Sequence, residues 1–377
     1  MKVCVVHNTL NSVGGGERVC LTVIEALKSL GYEVTLITTE PTDWTRIERS
    51  IGRIVRPDRE ISLLPSRVRA FGIYMRLLTS LKLARSRGNY DLVINTHGDV
   101  LPVTSDILYM HYPTFALIKE MPVNKYSKSL FWRLYFAPYE KIQSRLVKRM
   151  KWKILLTNSE FSKKAIRKYI GAEAIILYPP VNVNDFLKVS ENKNREDKVV
   201  LCGRYTPEKN YEFALQVASQ LPSVKFTIIG ASSGKVSSAY YVKLQRMKKN
   251  LELKNVELLR DVTRGEQTKI YSKSKIFMHC MRGEHFGMAV VEGMAAGLVP
   301  IVHKSGGPWL DIINQGKYGL GYWDVDEAVK VVKYTLDNYE YLREKAIRRA
   351  LVFSKESFAE KFKEIINSVP SEGAACL

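Results

Sequence analysis

Short β-branched, apolar runs alternate with helix-length amphipathic runs along most of this chain, and that alternation leaves few folds open. "KVCVVHN" (2–8), "GGGERVCLTVIEALKSLG" (14–31) and "EVTLITT" (33–39) read as strand, glycine loop with helix, and strand, with Gly31 as the helix stop. "YDLVINTH" (90–97) and "KILLTNS" (153–159) continue the series, and Ser159 is placed to cap a helix ending at Gly171. A double proline at "LYPPVNVNDF" (177–186) and a polar run, "SENKNREDK" (190–198), interrupt the pattern and predict a boundary without regular structure. A second series then follows: "KVVLCGR" (198–204), "YEFALQVASQL" (211–221), "VKFTIIGA" (224–231), "VELLRDV" (256–262), "SKIFMHC" (274–280), a helix over 287–297, and "VPIVHKSGG" (299–307). The expectation is an α/β protein of two Rossmann-like lobes, each with a mostly parallel sheet, facing a cleft. We place the lobes at residues 1–185 and 186–350, with a helix in 351–377 packing back on the N-terminal lobe.

The 377 residues are enough for two ordinary cores without staples. Five cysteines (Cys4, Cys20, Cys202, Cys280 and Cys376) form no C-x-x-C pair and lie at no metal-ligand spacing from a histidine, which predicts a reducing compartment and no metal. The apolar run at the start is only six residues long, and no window approaches about 18 uninterrupted apolar residues. These features predict a cytoplasmic protein.

A net charge of +20 calls for an anionic partner, and the excess is concentrated in residues 1–180, with 28 Lys and Arg against 15 Asp and Glu. The segment 65–88 carries six basic residues and no acid, among them Arg67, Arg69 and Arg76. The segment 125–153 interleaves basic residues with aromatics, including Phe131 and Trp132. Both suit a peripheral segment on an anionic membrane surface. A basic nucleic-acid-binding protein is the competing reading, but the chain has no zinc-finger spacing and no RNP-type motif, so no nucleic acid is expected.

Three stretches carry chemistry. In "NSVGGGERV" (11–19), Gly14, Gly15 and Gly16 open a helix after the first strand, where backbone N–H groups favour an anion, although a tight strand-to-helix turn explains them equally well. "GRYTPEKN" (203–210) offers Arg204 and Lys209 at the end of the second lobe's first strand, where two cations can close on a diphosphate or pair with Glu208 and Glu212. In "GEHFGMAVVEGMAAG" (283–297) Glu284 lies just before a helix opening at Gly287, and Glu292 about 7 Å along it. Free N–H groups at Gly287, Met288 and Ala289 would hold an anion. Two carboxylates beside an anion hole suit a ligand bearing hydroxyls and phosphates together, such as a nucleotide sugar.

These stretches resemble the motifs of retaining family 4 glycosyltransferases. "GGGERV", "MHYPT" (110–114), "LYPPVNVNDF", "EHFGMAVVEGMAAG" and "HKSGGPWLDII" (303–313) are similar, in order, to the branch of GDP-mannose-dependent α-1,2-mannosyltransferases that extend dolichol-linked oligosaccharides. The resemblance implies a glycosyltransferase B fold and a hexosyltransferase of retaining mechanism, with GDP-mannose as donor substrate, no cofactor, and a lipid-linked glycan acceptor at the cytoplasmic membrane face. By the same resemblance Arg204 and Lys209 neutralise the departing diphosphate, Glu292 binds the ribose hydroxyls, and Glu284 binds hydroxyls of the transferred sugar. His111, in "MHYPT", stands beside the donor sugar, Gly14 to Gly16 border the β-phosphate and acceptor, and Phe286 shapes the site. One departure is that Tyr205 and Thr206 separate Arg204 from the proline that usually follows it, which puts the position of Lys209 in question. A transferase of the same fold using a UDP-sugar and a soluble acceptor, and a catalytically silent scaffold, are the alternatives.

Overall fold

The computed structural model describes residues 1–65, 87–114, 130–232 and 234–369. The chain folds as two compact units, Met1–Pro180 with Phe358–Leu377, and Val181–Ser357.

The first unit is built on a parallel sheet of seven strands, β1 (Lys2–Val6), β2 (Glu33–Thr38), β3 (Arg59–Ser62), β4 (Leu92–Asn95), β5 (Ile107–Met110), β6 (Ile154–Thr157) and β7 (Ile175–Ile176). Their spatial order is β3-β2-β1-β4-β5-β6-β7. The chain steps outward from β1 to β3 and then returns to the other side of β1, where Val3 pairs with both Val34 and Leu92. Val3 to Val6 are fully buried, as strands covered on both faces require. Among the described residues up to 180 the helices are α1 (Gly15–Ser29), α2 (Trp44–Ile51), α3 (Leu130–Arg149) and α4 (Glu160–Ile170). The limits of α4 are set by its caps: the Ser159 side chain accepts from the Ser162 N–H, and Gly171 adopts the left-handed conformation at φ 73°.

The second unit repeats the plan with six parallel strands, β8 (Glu196–Arg204), β9 (Lys225–Ala231), β10 (Val256–Arg260), β11 (Ser274–His279), β12 (Val299–His303) and β13 (Leu320–Tyr322), in the order β10-β9-β8-β11-β12-β13. Its helices are α5 (Asn184–Ser190), α6 (Tyr211–Ser219), α7 (Lys235–Asn250), α8 (Arg264–Ser272), α9 (Met288–Ala295), α10 (Val325–Asp337) and α11 (Tyr339–Ala350). The direction of strand addition reverses between β8 and β11, as it does between β1 and β4 in the first unit. In open parallel sheets such reversals, at the carboxyl ends of the strands, are where ligands bind.

The polar run 190–198 is not without structure. Glu196 already belongs to β8, and Arg195 donates to the carbonyls of Val189, Ser190, Asn192, Tyr271, Ser274 and Ala296. One guanidinium does there what apolar packing does elsewhere, which is why hydropathy did not reveal it.

Arg67, Arg69 and Arg76 lie outside the described residues, as do the side chains of Phe131 and Trp132, whose backbone belongs to α3. The described part of α3 exposes Leu134 and Ile142 together with Lys141, Arg145, Lys148 and Arg149. No helix among the described residues is long and apolar enough to cross a membrane.

The final helix, α12 (Lys355–Asn367), completes the first unit: Phe358, Phe362 and Ile366 join the core formed by β1, β2 and α1, with Phe358 and Phe362 stacked at 5.9 Å. Phe362→Ala is expected to cost about 3–5 kcal/mol of first-unit stability in denaturant unfolding. A loss below about 1 kcal/mol would contradict this docking.

Candidate functional site

In the second unit, the segments leaving β8 and β11 emerge side by side at the reversal point. Tyr205, the first residue after β8, is fully buried, and its hydroxyl lies 2.9 Å from each of the Ile228 and Leu259 carbonyls, with one proton to share between them. This anchorage absorbs the two residues between Arg204 and Pro207. A single tight turn, Pro207–Lys209, then carries Lys209 inward, so that its ammonium lies 2.6 Å from Glu284 Oε2 and 3.5 Å from Met281 Sδ. Arg204 remains outside: its side chain is 72% exposed, with Glu208 at 3.8 Å. Glu212 pairs with Lys243 instead. The two cations therefore differ in kind, Lys209 mostly buried and paired with Glu284, Arg204 exposed beside Glu208.

Glu284 sits on the loop between β11 and α9. Gly287 has φ 100°, a conformation L side chains avoid, and caps α9 so that the helix opens immediately after it. The loop is clamped from the other side by Gly306 and Gly307: the Gly307 N–H donates to the Glu284 carbonyl at 2.8 Å, and a Cβ at Gly306 would stand 2.4 Å from that oxygen. Burial alone would push the Glu284 carboxyl up, but Lys209, with His279 and His285, more than reverses this and holds it well below the usual carboxylate range. His279, the last residue of β11, places Nε2 3.5 Å from the same oxygen, and burial keeps its imidazole below its ordinary pKa. Glu292, buried on α9, faces Arg264, whose two Nη atoms are each 3.3 Å from Oε1. Phe286 is buried against Phe353, ring centroids 5.5 Å apart. The two glutamates thus belong to two separate ion pairs. Both present carboxylate oxygens suited to hydroxyl groups, next to cations suited to a diphosphate. No group of His, Cys, Asp or Glu arranged to hold a metal ion occurs among the described residues.

In the first unit the strand ends carry histidines. Thr96, which follows β4, donates its hydroxyl proton to the Val6 carbonyl, so its oxygen must accept from His7 Nδ1–H at 2.9 Å. Burial, with the nearby His111, pushes His7 down to about 3, so it is neutral, and its Nε2 lone pair accepts from His97 Nδ1–H at 3.1 Å. His111, following β5, donates from Nε2 to the Thr96 carbonyl at 3.1 Å. A Cβ on Gly16 would lie 3.3 Å from that nitrogen, so the third glycine makes room for His111. Within the glycine turn the Gly14 N–H donates to Glu17 Oε2 at 2.8 Å, in α1's own first turn. Asp99 accepts from the Thr114 N–H and hydroxyl and fastens the segment after His111; burial raises its carboxyl to about 6.

The structure brings Lys209 and Glu284 together, and His111 with Gly16, while the Arg204 side chain stays exposed beside Glu208. Sequence reasoning passed over His279, Arg264, Met281, His7 and His97. For His279 and His7 a signal existed, a histidine at the carboxyl end of a parallel strand. For Arg264 the local sequence held none.

Two family models match the chain. Residues 13–185 match the one described as Glycosyltransferase Family 4, and residues 183–351 the one described as Glycosyl transferases group 1. The chain is 24% identical over 294 residues to the GDP-Man:Man(3)GlcNAc(2)-PP-Dol alpha-1,2-mannosyltransferase of Dictyostelium discoideum, covering 68% of this chain and 58% of that protein. To the Homo sapiens protein of the same name it is 27% identical over 238 residues, 54% of this chain and 47% of that protein. It therefore spans about half the length of these relatives. Among solved structures, sucrose-phosphate synthase from Thermosynechococcus elongatus aligns with TM-score 0.75 at 16% identity over 97% of this chain and 98% of that one. HepE from Anabaena, solved with UDP and glucose, aligns with TM-score 0.72 at 15% identity over 98% and 100%. At such identities the likeness is one of fold.

The histidine chain has a consequence for acid stability. His7 titrates near 3 when folded and near its ordinary 6.5 when unfolded, so its contribution is complete above 6.5 and is lost as pH falls toward 3. At pH 5 the loss amounts to about 2 kcal/mol. His7→Asn, which cannot take up the proton, is expected to flatten the decline in unfolding free energy between pH 7 and 5. Asp99, raised to about 6, runs the other way in both proteins, so the difference isolates His7. Equal slopes would contradict a neutral, buried His7.

Proposed function

Because this chain belongs to the glycosyltransferases, matching family 4 in its N-terminal half and group 1 in its C-terminal half, we propose that it transfers an α-mannosyl unit from GDP-mannose to a lipid-linked oligosaccharide with retention of configuration. The observation that carries this reading is the Lys209–Glu284 pair, 2.6 Å long, at the reversal point between β8 and β11.

Glu284, held ionised by Lys209, is an acceptor for hydroxyls of the transferred sugar rather than a proton donor. The Lys209 ammonium spends one N–H on Glu284 and turns another toward Met281, which leaves a third for an oxygen of the donor diphosphate. Arg204, exposed at the end of β8, closes on the same diphosphate as a fork. Glu292 takes the ribose hydroxyls. As the bond from the anomeric carbon to the β-phosphate oxygen breaks, its electron pair passes to that oxygen, where Lys209 and Arg204 stabilise the charge without a metal. The acceptor hydroxyl attacks from the same face, and its proton passes to the leaving phosphate. No carboxylate nucleophile is required. In this reading His111 stands beside the donor sugar, and the turn at Gly14 to Gly16 borders the β-phosphate and acceptor.

The donor and acceptor classes come from the name borne by the curated relatives. Association with the cytoplasmic face of an anionic membrane is supported by the exposed face of α3, where Leu134 and Ile142 lie among Lys141, Arg145, Lys148 and Arg149.

The test is transfer of radiolabel from GDP-mannose or UDP-glucose, by purified protein, to dolichol-linked Man(3)GlcNAc(2) in liposomes. Label is expected in the lipid phase from GDP-mannose alone, with kcat/KM reduced about 100-fold or more in Lys209→Met and Glu284→Gln and about 10-fold in Arg204→Ala. Transfer from UDP-glucose to a soluble acceptor instead, or wild-type rates in the Lys209 and Glu284 variants, would overturn the proposal.

A further inference from the structure

Glu292 is oriented by a residue that no motif includes. Arg264 is the first residue of α8, whose start is fixed by Thr263 and Glu266: the Thr263 side chain caps the Glu266 N–H and the Glu266 carboxylate accepts from the Thr263 N–H. From that position the Arg264 guanidinium lies 4.2 Å over the ring of Phe186, which is fully buried on α5 and stacked on Tyr271 at 5.5 Å. Nη1 donates to Gln267 Oε1 at 3.1 Å, and Gln267 is held in turn by the Tyr271 hydroxyl, to which its Nε2 donates at 3.0 Å. Both Nη atoms then reach one oxygen, Glu292 Oε1, at 3.3 Å. Elements α5, α8 and α9 thus converge on one carboxylate oxygen.

We propose that Arg264 is a positioning residue for donor binding. It fixes the Glu292 carboxylate in the rotamer that presents it to the ribose hydroxyls, and it supplies the counter-charge that a carboxylate only 7% exposed needs. The inference rests on the reading of Glu292 as the ribose acceptor. Its physical content lies in the guanidinium's shape. A planar guanidinium can lie flat over Phe186 and still direct two N–H groups at one oxygen, whereas a lysine ammonium at the same place could keep a point-charge contact with the ring but not that paired, fixed geometry. The Arg264 side chain is about one-third exposed, so the pair stays open to solvent on one side and is not sealed into the core.

The experiment is calorimetric titration of GDP into the full chain carrying Arg264→Ala, Arg264→Lys, Glu292→Gln, or Arg264→Ala with Glu292→Gln, alongside donor KM and kcat and the thermal midpoint of each. Arg264→Ala is expected to weaken GDP binding and raise donor KM by about tenfold with kcat within twofold. Arg264→Lys is expected to recover less than half of that loss. In the Glu292→Gln background Arg264→Ala should add less than twofold, because its effect passes through the carboxylate. Multiplicative losses in the double variant, or unchanged GDP affinity in Arg264→Ala where Glu292→Gln weakens it, would overturn the proposal while leaving the ribose reading intact. Unchanged GDP affinity in Glu292→Gln would overturn both. Should Arg264→Ala not fold, Arg264→Lys and its double variant with Glu292→Gln carry the same comparison.

Discussion

The ion pair between Lys209 and Glu284 is the interaction on which the rest of the second unit's chemistry depends. Its partners are 75 positions apart in the chain and meet because β8 and β11 are neighbours in the sheet, although β9 and β10 are made between them. Each side chain is more than four-fifths buried, so each charge has lost most of its hydration and needs the other. Removing either leaves a charge stranded; under the proposed function, a donor that brings phosphate charge to Lys209 and hydroxyl groups to Glu284 would satisfy both without exposing either. His279 and the clamp from Gly306 and Gly307 keep the carboxylate in place while that exchange happens.

The first unit uses a different device at the equivalent place in its sheet. There His7 is neutral, and order comes from hydrogen-bond direction: His97 donates to His7, His7 to Thr96, and Thr96 to the Val6 carbonyl. Each donor is spent on the next acceptor, so the tautomers follow one from another.

Much of this was legible in the amino-acid sequence because it is carried by local rules. The alternation of strand and helix, the Ser159 cap and Gly171 stop of α4, and the opening of α9 at Gly287 each depend on a few neighbouring residues. What was not legible depends on tertiary structure. The strand β13 is three residues long and has no pattern to read. Helix α8, "RGEQTKIYS", is polar and is held by its capping box rather than by an apolar stripe. Arg195, in a stretch that reads as a loop, gathers carbonyls from residues 189 to 296. Arg264 and Glu292 are 28 positions apart with no shared motif. Spacing arguments placed the two glutamates on either side of the start of α9, and the fold gives each its own cation, a pairing that only side-chain placement reveals.

The central claim is that the segments following β8 and β11 form the donor site. Hydrogen–deuterium exchange of the full chain with and without saturating GDP-mannose tests it most directly, since bound donor slows exchange of the backbone it covers. The account predicts protection over residues 203–211 and 281–292, with UDP-glucose giving markedly less. Binding of GDP-mannose that leaves both segments unchanged and protects another surface of the second unit would contradict it.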